Sequence, residues 1–470
     1  MSVTPSAWQQ GEAMSKSEDV CPGISLNPFN ALKNIVIPFV ILGFPGGASG
    51  ITLEDAVHEA ITSNPQVLGA QAGRRAAKAD VRNAKAAWLP SVDVRAGYGS
   101  EHTNIAQLKA AGIAKGTLGK REVSVVVSQL LWDGFATSKE VARRRALLNA
   151  SQDRTSNTME NVAFDTVKAY LDVLKNQHLV ALARQNVAAH RKTLSEIKLR
   201  VESGISHGGD LQQSIGRLAL ARSVLTAREG ALKAANSTYE RVVGAAPVDL
   251  LEPQPHSYGF SHDGELDDQA LQQAITQATD EAMQVNPALA TADAQSRAAA
   301  AAADGAKSAY QPRINLEYTL TRDRNTSGVS GIRNTDALMV VANWNLFHGG
   351  ADRARVKALS ERRFASMQTV ADTRRAIREN VEIALKAKAT SEQRLTFLQQ
   401  HVDASKATLE SYKAQFRLGR RTLLDMLNTT NELFTARSNH TVGVYDDLLN
   451  QYFVDASKGL LVKSLSISAR

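Results

Sequence analysis

Hydrophobic side chains recur at alternating spacings of three and four residues along two long segments without proline, 134–203 and 349–418. The second segment carries the pattern at Leu395, Leu398, Val402, Leu409, Tyr412 and Phe416. The positions 215 residues earlier are also apolar: Val180, Ala183, Val187, Leu194, Ile197 and Val201. Ser405 and His190 share one slot of the two patterns. This spacing is typical of helices wound around their neighbours, and each segment predicts a helix of about 105 Å.

Apolar and polar residues alternate singly in two other regions, about 89–132 and 313–347, which predicts two strands in each. One face of these strands carries Val92, Val94, Ala96, Tyr98, Val123, Val125, Val127, Ile314, Leu316, Tyr318, Leu320, Leu338, Val340, Ala342 and Trp344. A membrane barrel with a wet lumen and a half-buried soluble sheet both show this alternation. Four strands cannot close around a lumen, so a barrel requires several chains.

The chain repeats itself. Asn64-Pro65 recurs as Asn286-Pro287, and the Gly204 and Gly244 positions recur as Gly419 and Gly459. The repeat predicts two halves, 49–263 and 264–470, each with a short helix (52–62, 268–284), a second helix (65–88, 287–310), two strands, a long helix and a return helix (210–243, 423–460).

Residues 1–48 have the layout of a secretory leader. Lys33 precedes the apolar run 35–44, and the small residues Gly46-Gly47-Ala48 follow it. The run is too short to cross the ~30 Å hydrocarbon core as a helix, so we expect cleavage near Ala48. Met14 is an alternative start, and the single cysteine, Cys21, falls in the segment expected to be removed.

The net charge of +8 does not indicate nucleic-acid binding, because the basic residues are interleaved with acidic ones along the predicted helices. The histidines are scattered, and no nucleophile elbow or phosphate loop is present, so we expect no enzyme, no cofactor and no metal site. His207, beside two glycines, is read as a turn residue, and His190 as an interior polar residue. The rival classes are a periplasmic coiled-coil scaffold without channel activity and a transporter of another mechanism, which would need transmembrane helices or a nucleotide loop.

Several motifs carry a resemblance to a known family. They are the two Asn-Pro pairs, Leu89-Pro90 and Gln311-Pro312, the turns 129–134 and 344–350, and the segment Arg417-Leu418-Gly419-Arg420-Arg421-Thr422-Leu423-Leu424-Asp425-Met426-Leu427. With these the chain resembles the TolC family of outer-membrane efflux and secretion proteins across nearly all of 50–465. It departs from the family pattern at Asn428, where a second acidic residue is common, at the Gly-rich turn 204–210, and at His348, where the first half has Asp133.

The resemblance implies an α+β membrane protein that forms a homotrimer. Each protomer would give four strands to a twelve-stranded β-barrel and its helices to a twelve-helix α-barrel, with an equatorial mixed region. Such a duct lies in the outer membrane of a Gram-negative bacterium and extends into the periplasm. It works with a periplasmic adaptor and an inner-membrane transporter, ABC or proton-driven, in multidrug efflux or type I secretion. The absence of a lipidation cysteine after the leader leans towards secretion.

The resemblance also implies that the hairpin tips form the periplasmic entrance. We expect the gate at Asp425, Arg421, Phe416, Asn428 and Asp210, and the adaptor contacts at Gly204, Leu211, Gly419, Leu423 and Leu424. Asp425 has two compatible readings, a helix N-cap and a ring of carboxylates at the tunnel mouth. Arg421 is either a solvated side chain or a latch to a neighbouring helix.

Overall fold

The computed structural model describes residues 50–110, 112, 116–262 and 265–467. The predicted leader, its cleavage site and Cys21 lie outside these residues. The elements are α1 Leu53–Ser63, α2 Pro65–Ala86, β1 Ser91–His102, α3 Ala106–Ala110, β2 Thr117–Trp132, α4 Ala136–Glu202, α5 Gly208–Val243, β3 Ser261–His262, β4 Glu265–Leu266, α6 Asp268–Val285, α7 Pro287–Ala306, β5 Arg313–Arg324, β6 Ile332–Asn343, α8 Ala351–Arg417, α9 Leu423–Lys458 and α10 Leu461–Ser464. A short 3-10 turn, Lys307–Tyr310, joins α7 to β5.

Two helical hairpins make up most of the molecule. Helices α4 and α8 have 67 residues each, which corresponds to about 100 Å. Each packs along its 36-residue return helix, α5 or α9. The seam of the first hairpin is buried at Val180, Ala183, Val187, His190 and Ile197, whereas the second is fully buried only at Ser405 and Leu409. Within the described residues, no helix combines the length and apolar character needed to cross a membrane.

Four antiparallel strands form one sheet in the order β1-β2-β5-β6. Val94 lies opposite Val125 and Leu316 opposite Val340, so these side chains share one face, as the alternation predicts. We call it the outward face. Val94 is 68% exposed and Val340 65%, so the chain by itself leaves an apolar surface uncovered. Trp344, expected on the same face, lies one residue beyond the end of β6.

The two Asn-Pro pairs fix the second helix of each half to the return helix. Asn64 accepts a hydrogen bond from the Gln66 amide, and its own side-chain amide donates to the Val242 carbonyl at 3.0 Å. Asn286 does the same with the Ala288 amide and with the Ser457 carbonyl, 215 residues beyond Val242. The proline that follows each asparagine has no amide to satisfy at the first helical position. The repeated sequence therefore makes a repeated contact.

The strand-to-helix turns differ between the halves. In the first half, the Asp133 carboxylate accepts bonds from the Thr137 amide at 2.8 Å and the Thr137 hydroxyl at 2.6 Å. In the second half, His348 stands at the position of Asp133 and Asp352 at that of Thr137, and His348 Nδ1 lies 2.9 Å from Asp352. The carboxylate thus belongs to the earlier residue of the contact, Asp133, in the first half and to the later residue, Asp352, in the second half. The His348 departure therefore keeps a side-chain bond across the turn.

An ion pair lies in the interior between α8 and α9. Lys388 is fully buried, and its Nζ lies 2.8 Å from both carboxylate oxygens of Asp447. Glu392, 3.3 Å from the same Nζ, accepts the amides of Tyr258 and Phe260 in the segment that joins the two halves. This charged cluster attaches the connecting segment to the second hairpin.

Candidate functional site

The tip of each hairpin is a tight turn built on one glycine. Gly204 and Gly419 have φ of +71° and +72°, a conformation that favours glycine. The amide that follows each glycine bonds back across the turn, from Ile205 to the Arg200 carbonyl at 2.8 Å and from Arg420 to the Gln415 carbonyl at 2.9 Å. Both turns thus satisfy the last carbonyls of the long helices in the same way.

The return helices begin at Thr422 and His207 rather than at an aspartate. Thr422 is the N-cap of α9, and Asp425, three residues later, completes a capping box. Its carboxylate accepts the Thr422 hydroxyl at 2.8 Å and the Thr422 amide at 3.3 Å. These bonds, with the nearby Arg421 charge, lower the pKa of Asp425, so it is ionised at neutral pH. The prediction that Asp425 is the N-cap is therefore wrong, because Thr422, three residues earlier, occupies the N-cap position.

Asp210 is the counterpart of Asp425 but is held less tightly. Among the described residues, its carboxylate accepts one hydrogen bond, from the His207 amide at 3.4 Å. His207 is the N-cap of α5, at the position that Thr422 holds in the second tip. Among the described residues, no group of three or more His, Cys, Asp and Glu side chains is placed to hold a metal ion. The two tips therefore share their backbone but differ in how firmly the acidic side chain is fixed.

Within the described part of the chain, Arg421 contacts three residues of its own hairpin. Its Nε donates to Gln415 at 3.1 Å, its guanidinium lies 4.2 Å from the Tyr412 ring centroid, and it approaches Asp425 at 3.9 Å. These contacts orient the guanidinium beside the Asp425 carboxylate. A latch from Arg421 to a helix of a neighbouring protomer remains a prediction.

Phe416 lies between the two hairpins. Its ring is 5.0 Å from the Arg200 guanidinium of α4, and it packs on a cluster formed by Ile197, Leu423, Met426 and Leu427. Leu423 is only 5% exposed, because the first turn of α9 directs it into this cluster. Its expected role as an adaptor contact is therefore corrected: Leu423 holds the second hairpin against the first.

A polar bond also crosses between the hairpins. Arg217 of α5 donates from Nη2 to the Asn428 side-chain oxygen of α9 at 2.7 Å. Arg217 also lies near His190 of α4. Desolvation by burial, with the Arg217 charge as the smaller cause, lowers the pKa of His190, which favours the neutral imidazole. Sequence reasoning singled out Asn428 but missed Arg217 and Arg200. The spacing of 211 residues between Arg217 and Asn428 gives no sign of their contact.

The outer surface of the tips carries a few exposed apolar side chains. Leu418 is 71% exposed, Ile205 66% and Leu424 44%. Leu211 is half-buried, and Gly204 and Gly419 are exposed. Above the tip, a groove of about 370 Å³ runs between α4, α8 and α9, and its charged lining includes Lys192, Glu196, Lys406, Glu410, Lys413, Arg417 and Arg437. These surfaces are the part of the hairpins open to a partner.

The sequence model of the family described as outer membrane efflux protein matches residues 56–245 and 278–446, which is most of the chain. The chain belongs to this outer membrane efflux protein family.

Individual relatives agree with this membership. The chain is 25% identical over 429 residues to the outer membrane efflux protein BepC of Brucella suis, with 90% of each chain covered. It is 24% identical over 412 residues to the outer membrane protein TolC of Vibrio cholerae, covering 85% of this chain and 88% of the relative. The solved structure of the Campylobacter jejuni CmeC outer membrane channel matches with a TM-score of 0.75 at 13% identity, covering 89% of this chain and 90% of that one.

Membership in the efflux protein family confirms the resemblance seen in the motifs and the outer-membrane location expected from it. The protein is an outer-membrane channel for efflux or secretion that extends into the periplasm. The likeness to CmeC shows the same fold: long helices joined to one four-stranded sheet.

Proposed function

We propose that three copies of this chain form a continuous duct, with a twelve-stranded barrel above and a tunnel of α4, α5, α8 and α9 below, whose mouth is gated at the hairpin tips. The observation that carries this proposal is the sheet. Its two outer strands, β1 and β6, have 12 residues each and lack a partner on one side among the described residues. Long unpaired edges pair readily with another chain.

The outward face explains which environment the sheet suits. Val92, Val94, Leu338 and Val340 on the two outer strands are 63 to 68% exposed. The opposite face carries polar and charged positions such as Asp93, Arg95, Glu317 and Thr319. An apolar exterior and a polar interior are the arrangement of membrane barrels. Closing three sheets edge to edge gives every strand two partners and a lumen.

The tips supply the gate. Threefold symmetry would bring three Asp425 carboxylates, each already ionised and fixed by Thr422, to the narrow end. A ring of carboxylates favours cations. The Phe416 cluster and the Arg217–Asn428 bond hold the second hairpin against the first in the closed state.

A partner must act on the tips to open the duct, because the proposed gate contacts lie within each protomer. We propose that a periplasmic adaptor carrying a helical hairpin docks on the exposed Ile205, Leu418 and Leu424 side chains and on the groove above them. The groove offers five basic side chains and two acidic ones, so it suits an acidic helix. An inner-membrane transporter, ABC or proton-driven, would deliver the substrate and the energy.

The edge pairing is tested by disulfide trapping, which is simple here because the only natural cysteine is Cys21. Val94→Cys on β1 is combined in turn with Asp336→Cys, Leu338→Cys or Val340→Cys on β6, all on the outward face. Oxidation of the membrane-embedded protein should give covalent dimers and trimers in at least one combination.

The control combines Val94→Cys with Tyr318→Cys. Tyr318 lies on the same face but on β5, which is paired on both sides within its own protomer. It should give no covalent trimer. If every combination stays monomeric and native mass spectrometry also finds a monomer, the trimeric duct is refuted and the scaffold alternative returns.

A further inference from the structure

Three arginines lie together at the loop end of the outward face. Arg121 precedes Val123 by two residues on β2, and Arg322 and Arg324 follow Leu320 on β5. The register places Arg121 opposite Arg324 and Val123 opposite Arg322, so all three side chains share the outward face with the apolar residues. We call them the arginine cluster. The apolar surface therefore ends in positive charge at the end of the sheet opposite to the long helices α4 and α8.

The cluster has too few counter-charges of its own. Arg322 pairs with Asp336 at 3.0 Å, and Arg121 lies 5.7 Å from the ring centroid of the exposed Tyr98. Within the described residues, Arg121 and Arg324 have no carboxylate within ion-pair distance. On the opposite face the cation has carboxylate partners, since Lys120 contacts both Glu101 and Glu122. At this end of the sheet, the cation of the opposite face is therefore paired with carboxylates, whereas, among the described residues, two arginines of the outward face are not.

Arg121 and Arg324 are direct cross-strand neighbours, and like charges at such positions repel each other. An anion between the two guanidinium groups would remove the repulsion. A guanidinium presents a planar fork of donors that matches the oxygens of a phosphate in a bidentate way. Tyr98 is 81% exposed beside Arg121, as expected for an aromatic side chain at a membrane–water interface.

The height of the cluster fits one leaflet. Trp132, at the helix end of β2, follows Arg121 by eleven positions, which is about 36 Å along a strand. With a strand tilt of about 40° this becomes about 28 Å along the membrane normal, close to the ~25 Å apolar band of outer-membrane barrels. In the proposed duct the long helices α4, α5, α8 and α9 lie on the periplasmic side, so the arginine cluster at the other end of the sheet reaches the level of the headgroups in the outer leaflet.

We propose that Arg121, Arg322 and Arg324 bind the phosphate of an anionic glycolipid in the outer leaflet of the outer membrane. This inference rests on the proposed barrel, which sets the depth of the strands. The three symmetric sites would fix the barrel vertically and would make lipid retention depend on the headgroup phosphate.

The test uses native mass spectrometry of detergent-solubilised trimers with added diphosphorylated lipid A, dephosphorylated lipid A or inorganic phosphate. The wild type should retain the diphosphorylated lipid at least about tenfold better than the dephosphorylated one, because charge-assisted bidentate bonds are lost with the phosphate. Arg121→Gln with Arg324→Gln should abolish the difference. Arg121→Lys with Arg324→Lys should give an intermediate value, since lysine keeps the charge without the fork.

The matched control is Arg95→Gln with Arg333→Gln, which removes the same charge from the opposite face and should retain the lipid like the wild type. Equal retention by the Arg121/Arg324 glutamine variant, or equal loss in the control, overturns the site. Displacement of the lipid by inorganic phosphate at similar concentration assigns the cluster to free phosphate and overturns the lipid proposal. Trimers that conduct ions but ignore the phosphate refute this inference alone, whereas the absence of trimers refutes the proposed duct and this inference together.

Discussion

Lys388 and Asp447 form a buried ion pair at positions where the first repeat has two apolar residues, Val173 and Leu232. The Lys388 ammonium lies 2.8 Å from both Asp447 oxygens, and Ser391 donates to the same carboxylate at 2.6 Å. Val173 is fully buried, and Leu232 packs on the core of the first half. Equivalent interior positions of the two halves are therefore filled by an ion pair in the second half and by two apolar side chains in the first.

This pair gives a stability prediction. Lys388→Val alone should lower the free energy of unfolding by about 3–5 kcal/mol, because it leaves a buried carboxylate without its cation. The double variant Lys388→Val, Asp447→Leu copies the first repeat and should recover most of that loss. Thermal unfolding in detergent, followed by circular dichroism, measures both. A double variant as unstable as the single one would show that the pair also fixes the connecting segment through Glu392.

Glu160 gives a pH prediction. It accepts the amides of Leu461 and Val462 at 2.9 and 3.3 Å, and burial raises its pKa from 4.5 to about 7. The folded state therefore binds more protons than the unfolded state between these values. The stabilisation is complete below pH 4.5 and is lost as the pH rises through 7, by roughly 3 kcal/mol in total.

Glu160→Gln should flatten this dependence, because its side chain cannot ionise, while its amide oxygen still accepts one of the two α10 amides. Unfolding midpoints measured from pH 4 to 8 give the comparison with the wild type. Glu240→Gln, at an exposed position of α5, is the control and should keep the wild-type slope. An unchanged slope in Glu160→Gln would assign the pH dependence to other groups.

The two roles of Asp425 can be separated. Asp425→Asn removes the charge but keeps the side chain, and should weaken cation selectivity if the carboxylates form a ring. Thr422→Ala removes the N-cap, worth about 1 kcal/mol of helix stability, but leaves the charge. It should therefore lower thermal stability without changing selectivity. Reversal potentials under a salt gradient decide, and equal selectivity in both variants would leave Asp425 as part of the capping box alone.

The bond between Arg217 and Asn428 gives a gating prediction. The shorter side chain of Arg217→Gln should not reach the Asn428 oxygen. The second hairpin should then be held less firmly, which would raise the frequency of channel opening. Arg222→Gln removes a charge from an exposed position of the same helix and serves as the control. Sensitivity of cells to large antibiotics reports an open duct. Similar sensitivity in both variants would argue that the bond does not hold the gate.

Local signals in the sequence predicted more of the fold than of the site. Proline favours the first position of a helix, and glycine favours the left-handed conformation just after a helix end. The Asn-Pro pairs and the glycines therefore placed the helix ends within a few residues. The alternation in the strands predicted the outward face because side chains alternate strictly along a strand. The prediction that Asp425 is itself the N-cap is wrong, because Thr422 holds that position and Asp425 closes the capping box three residues later.

What sequence reasoning missed depends on packing between distant segments. Leu423 is buried because α9 meets α4 there, and nothing near Leu423 in the sequence specifies that contact. The same holds for Arg217 with Asn428 and for Arg200 with Phe416. The Lys388–Asp447 pair was hidden for another reason, since the repeat replaces it with apolar residues in the first half.

Single-channel recording in planar bilayers tests the channel and its gate most directly. Purified wild-type protein should show a small, cation-selective conductance. Arg421→Ser combined with Phe416→Ala should raise it, because both side chains hold the tip: Arg421 lies beside Asp425, and Phe416 packs between the hairpins. Absence of any conductance in the wild type, or the same conductance in the double variant, would contradict a duct gated at the hairpin tips.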